Sequence, residues 1–178
     1  MTSSTSAHDD DGITLVELIV YIVVLGIVMS VITMLFINTW KAQASVTSQT
    51  QATTRGQLVS SEIERAMRNA VDFKVLDSGA TLEVNTSFTG DRQCQGFALT
   101  GAGLSMTISS NTTEPAIGTW PVWQERVESV SGVPLFTELD TTGVAYAFDA
   151  TSDSAPVRFT GDTYTRNQTL GTMGGCWE

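Results

Sequence analysis

The sequence predicts an α+β protein: a long N-terminal helix, membrane-spanning in its first half and amphipathic in its second, packed on a C-terminal antiparallel β-sheet domain. Three observations predict it. Residues 13–37 are apolar and carry one formal charge, Glu17. Residues 57–72 repeat apolar side chains at helical spacing. From about residue 73 the period falls to two, and turn-forming clusters separate the apolar runs. The chain of 178 residues therefore divides into a polar start (1–12), an apolar helix (13–37), an amphipathic continuation (38–72) and a strand-rich globular domain (73–178).

The polar start, MTSSTSAHDDDG, is small, acidic and without apolar periodicity, the composition of a disordered tail or removable leader. It differs from a secretory signal, whose cleavage residue follows the apolar core; here the small residue Gly12 precedes it. At 1.5 Å per residue the apolar run reaches roughly 37 Å, enough to cross a bilayer. Gly26 is its strong helix-weakening residue, and Thr14, Ser30 and Thr33 are able to bond back to the helix. Trp40 and Lys41 suit a membrane–water boundary. The Ser/Thr/Gln-rich stretch up to Thr54 is a mediocre helix former, and Gly56 is expected to mark a bend. Beyond it, Val59, Ile63, Ala66, Met67 and Ala70 form one apolar face with Val71 at its edge, and Glu64 and Arg68 form an i,i+4 pair in the favourable order.

The strand region alternates at Leu82 and Val84; at Leu104, Met106 and Ile108; at Val144, Tyr146 and Phe148; and at Val157 and Phe159. Turn clusters such as Asp77-Ser78-Gly79, Thr100 to Gly103 and Thr141-Thr142-Gly143 lie between. This is the pattern of short antiparallel strands with one buried face. Pro121 confines the stretch Trp120 to Val127 to an edge or a loop. No helical repeat of useful length follows residue 75, and Asn167 to Glu178 reads as irregular.

Composition narrows the function. The formal net charge is −10; three of these charges are Asp9, Asp10 and Asp11, so −7 remains beyond Gly12. No direct nucleic-acid binding is expected, because phosphate backbones call for clustered Lys and Arg. The single histidine is His8, which leaves the chain after Gly12 without a Ser–His or Cys–His nucleophile. No metal spacing and no phosphate-binding glycine motif occurs, so no cofactor, no metal and no catalytic residue is assigned. Asp149 and Asp153 lack an EF-hand pattern and read as a solvated turn rather than a Ca²⁺ site. The two cysteines, Cys94 and Cys176, suggest one disulfide in an exported domain, closing a loop of about 80 residues worth on the order of 3–5 kcal/mol; two unrelated buried thiols are the alternative. The sequons at Asn85, Asn111 and Asn167 matter in a host that glycosylates them.

Gly12 followed by Ile13-Thr14-Leu15-Val16-Glu17-Leu18-Ile19-Val20 resembles the prepilin cleavage and methylation signal of type IV pilins and type II secretion pseudopilins. A Gly ends a short polar leader, an apolar run starts at once, and a Glu stands fifth in that run. The resemblance implies cleavage between Gly12 and Ile13 by a prepilin peptidase and N-methylation of Ile13. It also implies filament assembly through Glu17, whose carboxylate would pair with the amino terminus of a neighbouring subunit. Pairing relieves a charge that costs about 2.5–3.5 kcal/mol at a helix centre in hydrocarbon, and less near an end. The implied partners are other pilin or pseudopilin subunits, an inner-membrane assembly platform, and the membrane before assembly. The implied location is a single-pass membrane protein with a cytoplasmic N-terminus, and after assembly a cell-surface filament.

The chain departs from the family pattern in places. The leader lacks Lys and Arg, and Lys41 alone would favour the opposite topology. Ile13 replaces the more frequent Phe, and Met34 stands where many type IVa pilins have a proline. Glu62 to Ala70 is closer to minor pilins and minor pseudopilins than to major ones. The reading is a structural subunit and not an enzyme. The alternatives are a filament-tip subunit that binds a ligand in adhesion or DNA uptake, with Trp120, Trp123, Tyr146 and Tyr164 as contacts, and a single-pass anchored domain that does not polymerise. A membrane-anchored hydrolase is disfavoured by the missing histidine.

Overall fold

The computed structural model describes residues 14–87, 92–110, 115–166 and 177. The chain is α+β: one long helix, α1 (Leu15–Arg68), precedes antiparallel sheets. It separates into two compact units, Met1–Ala44 and Ser45–Glu178.

Thr14 starts α1. Its carbonyl accepts the first intrahelical bond, from the Leu18 N–H at 3.1 Å, and its Oγ1 accepts from the Glu17 N–H at 3.3 Å, one of the donors that the first turn leaves open. The threonines that made residues 38–54 a mediocre helix former turn inward to their own backbone. Thr39, Thr50, Thr53 and Thr54 each donate to the carbonyl four residues back at 2.8–3.0 Å, so their hydroxyls are satisfied without leaving the helix. Gly56 does not mark a bend, because α1 passes through it unbroken. A Cβ there would lie 1.9 Å from the Phe159 ring, so the glycine is needed for close approach rather than for flexibility.

The helical repeat expected to reach residue 72 stops at Arg68. Asn69 ends it: its N–H bonds to the Ala66 carbonyl at 3.1 Å and its side-chain amide to the Arg65 carbonyl at 2.7 Å. Strand β1 (Ala70–Leu76) begins at once, with Ala70 opposite Thr86. Ala70 is buried, but as a strand residue; its fit to the helical repeat was coincidental. Basic residues Arg65 and Arg68 occupy the last turn, where they favour the negative end of the helix.

The first sheet is a five-stranded antiparallel meander in the order β1, β2 (Thr81–Ser87), β3 (Arg92–Thr100), β4 (Gly103–Ser109), β5 (Val122–Gln124). β5 follows Pro121 and lies at the sheet edge, as the proline requires. The second sheet is built around β8 (Gly143–Ala150). β9 (Val157–Tyr164) pairs along all of it, while β6 (Val127–Ser129) and β7 (Phe136–Glu138) pair with its two ends.

Within the second unit, the face of α1 carrying Val59, Ile63, Ala66 and Met67 is fully buried with Leu82, Val84, Phe97 and Leu104 of the first sheet and Val144, Tyr146 and Phe148 of the second. Each of the larger apolar side chains contributes roughly 1.5–3 kcal/mol by leaving water. Each sheet adds a polar tie to the helix. Gln95 of β3 donates to Glu62 Oε1 at 2.9 Å, and the Tyr146 hydroxyl of β8 donates to Glu64 Oε1 at 3.0 Å. Arg65 and Arg68 pair with the same two glutamates, at 2.7 and 3.5 Å.

The expectation of strands with one buried face holds for β8, whose Val144, Tyr146, Phe148 and Ala150 are buried in alternation. It fails for β2, in which Thr81 to Thr86 are all buried. The reason is a second, smaller core of Cys94, Ala98, Trp120 and Trp177. Gly96 of β3 lets the two tryptophans close down on it, since a Cβ there would lie 2.3 Å from Trp120 and 2.9 Å from Trp177.

Candidate assembly site at the head of α1

Glu17 is the third residue of α1, three after Thr14, which is the Thr-x-x-Glu spacing of a capping box. Half of that box forms: Thr14 Oγ1 takes the Glu17 N–H. The carboxylate itself lies 3.5 Å from the hydroxyl of Tyr21, one turn further on. A carboxylate here faces the positive end of the helix, which lowers its cost. Local capping alone would be served by the backbone contact. It does not explain why the charge opens an apolar surface, for Leu15, Val16, Leu18, Ile19 and Val20 around it are all at least half exposed. Among the described residues, α1 is long and apolar enough to cross a membrane, with its most apolar window wholly unburied.

Gly12 and Ile13, the expected cleavage and methylation residues, lie outside the described residues, as do the leader, Cys176, Asn111 and Asn167. Cys94 is 1% exposed in the smaller core. Asn85 is fully buried, and its side-chain amide has no hydrogen-bond partner among the described residues.

The aromatic residues considered for ligand contact part ways. Trp120 is buried, with its Nε1 donating to the Pro115 carbonyl at 2.8 Å, and Tyr146 is buried in the main core. Trp123 is partly buried against that core, and Tyr164 is 49% exposed on β9 over Gly143. The structure does not gather them into one surface.

Asp149 and Asp153 are each engaged by arginine rather than poised for a cation. Asp149, placed on β8 and not in a loop, accepts two bonds from Arg158 at 2.9 and 3.0 Å. Asp153 accepts from Arg126 at 2.6 Å, and that guanidinium holds its carboxyl below the usual carboxylate range. The Asp153 N–H also donates to Ser48 Oγ at 2.8 Å, and Ser154 meets Ser45 at 2.6 Å, which ties the β8–β9 loop to α1. No group of three or more metal-ligating side chains occurs among the described residues.

Among the described residues, the head of α1 thus presents a single carboxylate, fixed at the backbone by Thr14 and flanked by Tyr21, on an exposed apolar helix. In an apolar setting such a carboxylate is costly unless a cation pairs with it. No curated protein and no solved structure matches the chain. Residues 8–33 match the family model described as the prokaryotic N-terminal methylation motif, and the chain accordingly carries the processing motif of a type IV pilin-like precursor.

Proposed function

We propose that the chain is a minor pilin or pseudopilin: a filament subunit cut after Gly12 by a prepilin peptidase, methylated on the Ile13 amino group, and assembled through its N-terminal helix. The match of residues 8–33 to the methylation motif carries this reading. Its physical core is Glu17. Cleavage turns Ile13 into an amino terminus, and a neighbouring subunit's Glu17 carboxylate accepts that ammonium. Each charge thereby gains a counter-ion within the apolar environment, and the pair sets the axial register between subunits.

The partners are other pilin or pseudopilin subunits, the peptidase and an inner-membrane assembly platform. Before assembly the chain is anchored by residues 13–37 with its N-terminus cytoplasmic; afterwards it belongs to a surface filament or secretion pseudopilus. Assembly, not catalysis, is its activity. Cys94 and Cys176 form a disulfide in the exported domain. The support for this is that Trp177, the residue after Cys176, packs in the same small core as Cys94.

Glu17→Gln tests the reading. Removing one partner of a desolvated pair costs about 3–5 kcal/mol, so the variant is expected to fall by on the order of a hundredfold or more in sheared filaments. Leader removal and membrane anchoring are expected to stay intact. Incorporation at the wild-type level would overturn the proposal.

A further inference from the structure

Tyr21 has no part in the processing motif read from the sequence, where it passes as one more residue of the apolar run. Its hydroxyl nevertheless lies 3.5 Å from Glu17 Oε1. The two side chains stand at i and i+4, where helix neighbours meet, and a helical side chain points back towards the N-terminus. Among the described residues from Leu15 to Leu25, Tyr21 is the one besides Glu17 with a polar side chain. Thr14 Oγ1 accepts from the Glu17 N–H, whereas the hydroxyl that reaches the Glu17 carboxylate is that of Tyr21. In hydrocarbon a carboxylate has no water to donate to it, and Tyr21 is placed to donate in its stead.

We infer that Tyr21 is a positioning residue for Glu17: its hydroxyl donates to Oε1 in the unassembled subunit and holds the carboxylate in place, leaving Oε2 to accept the amino terminus of the neighbouring subunit. The inference rests on the filament-subunit reading. At 3.5 Å the contact is longer than a tight charge-assisted bond; loss of water and arrival of the ammonium draw the three groups together. A tyrosine in a span also serves as a headgroup anchor. Tyr21, however, lies about 6 Å deeper into the apolar run than Glu17. A headgroup anchor, moreover, has no need of Glu17, and this difference separates the two roles.

The test uses the full chain in two settings. In vesicles of phosphatidylethanolamine and phosphatidylglycerol, the infrared ring C–O stretch of Tyr21 is isolated as the wild-type minus Tyr21→Phe difference. It is expected to report a hydroxyl donating to a carboxylate. The same difference taken in a Glu17→Gln background is expected to lose that signature. An identical band in both backgrounds overturns the inference and leaves the filament-subunit reading standing.

In cells with the assembly machinery, Tyr21→Phe is expected to lower recovery in sheared filaments by about tenfold, the worth of one hydrogen bond to a charged group. Intact mass is expected to show normal leader removal. Wild-type recovery of Tyr21→Phe, with Glu17→Gln excluded, overturns the inference alone. Absence of the wild-type chain itself from the filaments overturns both the inference and the reading beneath it.

Discussion

Tyr146 shows what a polar side chain does when the core takes it in. Burial pushes its pKa above the ordinary 10.0, and the Glu64 carboxylate that accepts its proton adds to the rise. Above pH 10.0 the unfolded chain loses this proton while the folded chain still holds it. The contribution of the Tyr146–Glu64 bond is therefore whole below pH 10.0 and is lost as the pH rises through the folded-state value. Tyr146→Phe is expected to cost about 0.5–1.5 kcal/mol at neutral pH and to flatten the fall in stability above pH 10. Denaturant midpoints of the full chain in detergent, read by near-ultraviolet circular dichroism across that range, check this; parallel curves would contradict it. Single residues were unevenly legible in the sequence. Glu17 stood out because charge is rare in an apolar run, whereas Tyr21 did not, since its significance lies in a partner one turn away. Cys94 was visible as a cysteine, but its burial beneath Trp120 and Trp177 depends on residues distant in sequence.

Among the elements, α1 was the most legible because its periodicity is the direct imprint of one buried face. Val59, Ile63, Ala66 and Met67 all reached the core. Strands β2, β4, β8 and β9 announced themselves by alternation. β3 did not, because Gln95 and Gly96 interrupt its pattern. Both have reasons that only the fold supplies: Gln95 is buried with its amide on Glu62, and Gly96 makes room for two indoles. Gly56 was misread for the same reason, since glycine as a bend and glycine as a contact look alike in a sequence. Replacing it separates the meanings. In a free helix Gly56→Ala would help by nearly 1 kcal/mol. Here the methyl collides with Phe159, which itself stacks on Phe148 at 5.4 Å, so the ring cannot yield without disturbing the core. Overpacking of this kind costs about 1–3 kcal/mol. Gly56→Ala is expected to lower the thermal midpoint of the full chain in detergent, and a rise would contradict the packing account.

For the whole molecule, the α+β class followed from a change of period near residue 73, and the structure moved that boundary to residues 68–70. The sequence offered less about the two-sided burial of the first sheet, which depends on Trp120 and Trp177 meeting over Gly96. Both glutamates of the last turns of α1 serve as fastening points, one for each sheet, so the amphipathic end of the helix is held by polar as well as apolar contacts. The head of the same helix is left uncovered, with its carboxylate, and carries the methylation motif. On the filament-subunit reading proposed above, the chain is cut at one peptide bond, methylated on the new amino terminus, and then acts by association. Intact-mass spectrometry of the membrane-extracted chain, from cells containing a prepilin peptidase, tests this most directly. The account predicts loss of residues 1–12 and gain of one methyl group on Ile13; a chain that keeps its leader with Gly12–Ile13 uncut would contradict it.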